Sequence, residues 1–340
     1  MPIDVAIDLG TYKTVIYSYN RILLEEPTVA TVEGESWEPI CFGQRAKEMV
    51  GRTSEDIETV FPIQRGVIAD YDIAEHMLNE YMSKSIGKRL IKPRVIVAMP
   101  TGATSIQRRS VSNAATNAGG RRVQIIETAV AAAFGMGVDF SKPGGKLVVD
   151  IGAGVTDIAV LSAGGVVQCE SVPIGSIDYE DAIIKYVRKE FNVLIGYLTA
   201  EEIKLQIGSA VPRTEEVTIK AKGRNLFTGL PQLFDISSSD VYSAMCDVSY
   251  GICGAIKNVL ERTAPDIVAD IMEDKIYVSG GCANLNGMGE LLNSYFNCDI
   301  YIHRDPEHCV ARGAYAALKH PELLKNIDFD LRNIQDLIVE

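Results

Sequence analysis

Two stretches of the chain carry the same pattern of apolar and polar positions. Residues 4 to 17 read DVAIDLGTYKTVIY, and residues 146 to 159 read KLVVDIGAGVTDIA. In each, an apolar strand ends in Asp-Leu/Ile-Gly, three residues intervene, and a threonine opens a second apolar strand, which is a β-hairpin pattern. Asp8 aligns with Asp150, Gly10 with Gly152 and Thr14 with Thr156, each at the offset 150 − 8 = 142. Such self-similarity predicts two domains with related cores. Further strands are expected at residues 94 to 99 and in KIYVS just before Gly280, and a helix near 105 to 117. The small-residue run 129 to 133 and the set Ala311, Ala314, Ala316 and Ala317 predict two helices that each pack close to another backbone. In TAEEIK, Thr199 with Glu202 three residues on reads as a capping box that starts a helix.

The turns of the two hairpins point to chemistry. Gly152, Ala153 and Gly154 leave nothing in the way of a phosphate tail, so backbone N–H groups can approach an anion closely. Asp8 and Asp150, each ending a first strand, are placed to hold Mg²⁺ through its waters, because that ion keeps most of its hydration and takes only one or two carboxylates. Two facing hairpins make a phosphate clamp. Gly280 and Gly281 fit either a tight turn or a close approach to a ligand. Their position well after the second hairpin favours a ligand.

Composition narrows the classes. At 340 residues, 47% apolar and 23% charged, the chain has material for two globular domains. A net charge of −12 disfavours nucleic-acid backbones, whose phosphates need clustered Lys and Arg. The start, MPIDVAIDLG, has no basic segment followed by an apolar one, and no apolar run is long enough to span a bilayer, so a cytoplasmic chain is expected. The cysteines form no CxxC pair and read as buried free thiols, and the histidines are too dispersed for a metal site.

DLGTYKT and DIGAGVTD resemble the two phosphate segments of the superfamily of actin, the heat-shock chaperone ATPases and the sugar kinases. The resemblance covers nearly the whole chain and is specific to its bacterial actin branch, MreB. It extends to residues 92 to 137 as strand, helix and first connecting helix, to VSGGCANLNGM at 278 to 288 as the adenosine loop, and to HCVARGAYAAL at 308 to 318 as the second connecting helix. GRTSEDIETVFPIQRGVIADYDIAEHML and FNVLIGYLTAEEIKLQIGSA are similar to stretches distinctive of that branch. The resemblance implies an α/β, actin-like fold of duplicated RNase H-like βββαβα cores with a nucleotide cleft between them. It divides the chain into subdomain IA (1–31, 72–140, 310–340), IB (32–71), IIA (141–177, 245–309) and IIB (178–244). It further implies ATP or ADP with Mg²⁺, contacted by Thr11, Tyr12, Lys13, Gly152, Ala153, Gly154, Gly175, Glu201, Glu202, Lys204, Gly280, Gly281, Cys282 and Ala283, with Asp8 and Asp150 reaching the metal through water. The two connecting helices become hinges for cleft closure. The expected partner is the chain itself, in paired protofilaments with lateral contacts from the 105–117 helix, and paralogous copies.

Three positions depart from the branch pattern. The first connecting segment there reads Glu-Glu-Pro before its small residues, and the second glutamate polarises the attacking water. Here Glu127 holds the first place, Thr128 the second, and Ala129 replaces the proline. In the second phosphate loop Val155 stands where a hydroxyl is expected. Loss of a water-orienting group predicts slow hydrolysis with retained binding, with Asp157 placed to substitute in part. Tyr12 and Lys13 replace an Ala-Asn pair, and the lysine reads either as a phosphate contact or as a solvated side chain. Weakened hydrolysis fits an organism with several copies, such as a wall-less helical bacterium. In KSIGKRLIKPR, Leu90 and Ile91 lie among Lys88, Arg89, Lys92 and Arg94, which suits either weak insertion into an anionic membrane face or an ordinary loop. The expected function is therefore an ATP-binding filament protein of cell shape or motility. Its rivals are a non-polymerising actin-like scaffold and a small-molecule kinase of the same superfamily.

Overall fold

A computed structural model of the protein describes residues 3–87 and 91–319. Two five-stranded sheets dominate. In the first, the order is Arg122–Glu127, Arg94–Met99, Asp4–Leu9, Lys13–Ser18, Arg21–Pro27. In the second it is Gly165–Val172, Thr156–Ser162, Lys146–Ile151, Ile276–Ser279, Ile300–Ile302. Each is a three-stranded antiparallel meander whose first strand also pairs in parallel with a later strand, and that strand in turn pairs in parallel with a fifth. The hairpin registers coincide. Asp8 faces Val15 and Leu9 faces Thr14, while Asp150 faces Asp157 and Ile151 faces Thr156, the same pairs displaced by 150 − 8 = 157 − 15 = 142. The repeat in the sequence is thus a repeat in topology, and the actin-like α/β reading holds.

Strands such as Asp4–Leu9 and Lys146–Ile151 are almost continuously buried, as expected where both sheet faces are covered. Between the sheets lie the helices Thr128–Met136 and Cys309–Lys319. Ala129, Ala131, Ala132, Ala133, Ala314 and Ala317 share one core with Ala6 and Ile96 of the first sheet and Val148 and Ala159 of the second. Alanine is what lets two helices and two sheets come this close. The approach is tightest at two glycines. A Cβ on Gly135 would lie 1.9 Å from the Cys309 carbonyl oxygen, and one on Gly313 would lie 1.7 Å from that of Ala131. Two smaller three-stranded sheets, Pro39–Phe42, Ala30–Glu33 and Ile57–Val60 in the first half and Val193–Leu194, Thr218–Asn225 and Pro231–Ser237 in the second, complete the described strands apart from a short hairpin at 63–68.

The expected 105–117 helix is found at Ser105–Asn117, closed by a Thr104–Gln107 capping box. The capping box expected at Thr199 is not formed. The helix begins earlier, at Tyr197, with extended Gly196 as its N-cap, so Thr199 sits inside the first turn. The Ala200 N–H bonds to the Gly196 carbonyl, and the Tyr197 hydroxyl is held by Asp181, which together fix the earlier start. Of the basic loop, Lys88, Arg89 and Leu90 lie outside the described residues. Ile91 is exposed, and Arg94 is committed to a two-pronged ion pair with Asp4 at 2.6 and 2.8 Å. Among the described residues no helix is long and apolar enough to cross a membrane.

Candidate nucleotide cleft

The two hairpin turns face each other across a cavity of about 430 Å³. Asp8, Gly10, Thr11, Tyr12 and Lys13 come from the first hairpin, and Asp150, Gly152, Ala153, Gly154, Val155 and Asp157 from the second. The loops touch closely enough that a Cβ on Gly154 would lie 2.7 Å from the Thr11 hydroxyl oxygen. That hydroxyl also accepts the Gly66 N–H, at 3.0 Å. Gly280, at φ +87°, lets the third loop pass over the Ile151 backbone, where a Cβ would meet the carbonyl oxygen at 2.3 Å. Only glycine fits that place, and Gly281 and Cys282 are thereby set into the cleft wall. Burial pushes the Cys282 thiol up to about 12, so it is an inert wall group.

Three carboxylates gather at the floor. Burial, then repulsion from Asp150, pushes Asp8 up to about 7, against the pull of Lys13 and His308. Burial pushes Asp150 up to about 6 although Ser279 donates to it at 2.6 Å. Asp157, 3% exposed, rises to about 7 through burial, while the Thr101 N–H at 2.8 Å works against the rise. Only a proton or a cation relieves such a group, and the donor set is all oxygen, which fits Mg²⁺. The sign of the pH effect follows. Folded values lie above the unfolded value near 4, so the folded state binds the extra protons, and this contribution to stability is present at low pH and lost as pH rises through about 6 to 7. Between about pH 5 and about pH 8 the ligand-free wild type should therefore lose more thermal stability than Asp157→Asn, a comparison that scanning calorimetry makes directly.

Thr128 opens the first inter-sheet helix, is 9% exposed and lines the cleft together with Val155 and Asp157. Glu127 does not line it. It ends the strand Arg122–Glu127 and is the N-cap residue of that helix without a side-chain cap bond, and its carboxylate lies 3.2 Å from the Arg108 guanidinium. Lys13 lines the cleft with its ammonium held by Glu25 and Glu307, which raise its pKa against the opposing effect of burial. Glu25, Glu307 and His308 could group around a metal, but the Lys13 ammonium already bonds both glutamates.

On the far wall, Glu201 and Lys204 face the cleft one helical turn apart, and Lys204 donates to Ser176 and Glu180. Glu202 points away, to Gln206 at 3.0 Å, because it lies a third of a turn round the helix from Glu201. Ala283 is buried behind Cys282. Gly175 stands back from the cleft as the N-cap of the helix Ser176–Phe191, packed on the Ala153 and Gly152 carbonyls. Glu202, Ala283 and Gly175 therefore contribute no wall to the cavity. Reading the sequence missed Gly66, Pro100, Ser176 and Glu307 on the wall and Arg65 beside it. Only the Arg65-Gly66 pair carried a local signal, an arginine before a turn glycine, and both residues have positive φ.

Comparison with known proteins places this geometry. The MreB/Mbl protein family model matches residues 2–326. The cell shape-determining protein MreB of Escherichia coli strain K12 is 39% identical over 323 residues, covering 93% of each chain. The crystal structure of MreB5 of Spiroplasma citri bound to AMPPNP superposes with a TM-score of 0.90 at 32% identity, covering 95% of this chain and 97% of that one. The MamK double helical filament, at 17% identity and a TM-score of 0.79, shares the fold. With hairpins, connecting helices and third loop all in the expected relation, the chain belongs to the MreB/Mbl family of actin-like cell-shape proteins.

Proposed function

We propose that the cleft binds ATP or ADP with Mg²⁺, that the chain polymerises into paired protofilaments organising cell shape or motility, and that it hydrolyses ATP slowly. The observation that carries the binding is the pair of hairpins in identical register, each presenting an aspartate and a small-residue or hydroxyl turn to one cavity. Gly152, Ala153 and Gly154 with Thr11 take the phosphates, Asp8 and Asp150 hold the metal through its waters, and Glu201, Lys204 and the 280–282 loop take the nucleoside. Mg²⁺ supplies charge neutralisation for the phosphates and for the carboxylate floor. The Spiroplasma citri relative was solved with AMPPNP and with ADP, which supports this assignment.

Polymerisation rests on family membership and on the fold shared with a filament. The subdomain division set out from the sequence is retained, with the Thr128–Met136 and Cys309–Lys319 helices as hinges. A membrane-peripheral place rests on exposed Ile91 and its basic neighbours, and Arg94 is withdrawn from that role by Asp4.

Pelleting tests the reading. With Mg²⁺ and AMPPNP the chain should sediment above a critical concentration, and Asp150→Ala should abolish nucleotide-dependent sedimentation. Binding without sedimentation at any concentration would favour the scaffold reading instead.

A further inference from the structure

Besides the Lys13–Glu307 and His308–Glu25 pairs, two further polar links run from the first half of the chain to the second, Arg65 with Asp178 and Tyr12 and Lys47 with Glu201. Arg65 sits at the turn of the short hairpin Ile63–Gln64 and Val67–Ile68, at φ +49°. Its guanidinium forks onto Asp178, Nη1 to Oδ2 at 2.6 Å and Nη2 to Oδ1 at 2.9 Å. The same Nη1 donates to the Pro173 and Gly154 carbonyls at 3.0 and 3.3 Å. Asp178 accepts the Gly175 N–H at 2.8 Å as well, so Arg65 is bonded both to the second phosphate loop and to the start of the helix packed on that loop. The second link lies towards the nucleoside wall. The Tyr12 hydroxyl bonds Glu201 and Lys47, the Lys47 ammonium lies 4.5 Å from the Tyr12 ring centroid, and Lys47 and Glu201 pair at 3.6 Å.

Neither link is a core contact. Arg65 and Asp178 side chains are 38% and 24% exposed, and those of Lys47 and Glu201 27% and 22%. Partly exposed charge pairs hold with modest energy and weaken with salt, whereas a forked guanidinium–carboxylate pair is the strongest of them and fixes orientation. By contrast, the two halves are joined at the base by the buried alanine core of the crossing helices. A closure hinged at a rigid base and held at the rim by breakable ion pairs is a gate.

We infer that Arg65–Asp178 and Tyr12–Lys47–Glu201 form a two-point gate that sets how fast nucleotide leaves the cleft. This rests on the nucleotide reading above. Arg65 acts as a positioning residue: it holds the Gly154 carbonyl and the turn bearing Gly66 over the loop that takes the phosphates. Glu201 has two roles, since the hydroxyl and ammonium it holds in the closed state must be released before a nucleoside can pass.

The test is a chase of a fluorescent N-methylanthraniloyl ATP from the full chain, with Mg²⁺, below the concentration at which it pellets. Arg65→Gln and Lys47→Gln should each release the analogue about three- to tenfold faster than wild type. Arg65→Lys, which keeps the charge and a donor but loses the fork, should release the analogue at a rate between those of wild type and Arg65→Gln, a graded response that loss of fold or of loop structure would not give. Wild-type release should also quicken as NaCl is raised from 50 to 500 mM, and this salt response should flatten in an Arg65→Gln, Lys47→Gln double variant. Wild-type binding with unchanged release in both single variants overturns the gate alone. No binding of the analogue by the wild type overturns the nucleotide reading and the gate with it.

Discussion

Thr128→Glu should accelerate phosphate release from ATP by about two to four powers of ten, the usual worth of a positioned general base or water-orienting group. Thr128 is the residue of the first inter-sheet helix that meets the cleft, which Val155 and Asp157 also line. A threonine hydroxyl can hold a water but cannot take its proton at neutral pH. A glutamate there would join a site where burial first, and the repulsive field of Asp150 after it, already raise Asp8 and Asp157 to about 7. That field would lift the new carboxyl in the same direction, towards the range in which a base works best. The measurement is phosphate release by both proteins at a concentration where each pellets. A wild type already fast, and slowed by Asp157→Asn, would assign the chemistry to Asp157 and leave Thr128 a wall residue. Glu127 is the weaker substitute, since Arg108 holds its carboxylate away from the cleft.

Gly313→Ala should destabilise the fold by about 3 kcal/mol, at the upper end of overpacking costs. The new Cβ would sit 1.7 Å from the Ala131 carbonyl oxygen and 2.5 Å from the Gly135 nitrogen, and both are backbone atoms in a facing helix. No rotamer change relieves that contact. The helices must part, and the alanine core they share with both sheets must open with them. Gly254→Ala is the control, because its Cβ meets nothing within 4 Å and the residue lies within the helix Ser238–Glu261. That change should stabilise by about 0.8 kcal/mol through helix propensity. Urea denaturation of the two variants beside wild type checks both signs, and equal, small effects would show that the helix crossing tolerates separation.

How far the sequence could be read depended on the distance over which each feature is encoded. The hairpins were legible because the strand, turn and returning strand occupy fourteen consecutive residues and are written twice. The inter-sheet helices were legible because small residues at helical spacing have few other uses. Links across the cleft were not. Arg65 and Asp178 are 113 residues apart, Tyr12 and Glu201 are 189, and Lys13 and Glu307 are 294, with no local pattern to announce a partner. Lys13 therefore admitted two readings, phosphate contact or solvated side chain, and the structure shows a third, an ammonium shared by two glutamates. At Thr199 a local signal was present and lost to a competitor, since Gly196 and the Tyr197–Asp181 bond begin the helix first.

The shared hairpin register has a consequence in symmetry. Two topologically equivalent halves facing one cavity cannot by themselves distinguish one end of a ligand from the other. A nucleotide is polar along its length, so its direction must be read by residues that break the equivalence. At the offset of 142, Thr11 corresponds to Ala153, Tyr12 to Gly154 and Lys13 to Val155, a bulky, charged loop set against a small, apolar one. Those three pairs are the complete difference between the turns from Gly10 to Thr14 and from Gly152 to Thr156. Exchanging the two triplets would therefore set the bulky, charged turn against Glu201, Lys204 and the 280–282 loop, which lie in the second half alone, and so pit the turns against the rest of the wall in reading direction, while leaving the strands that carry them unchanged.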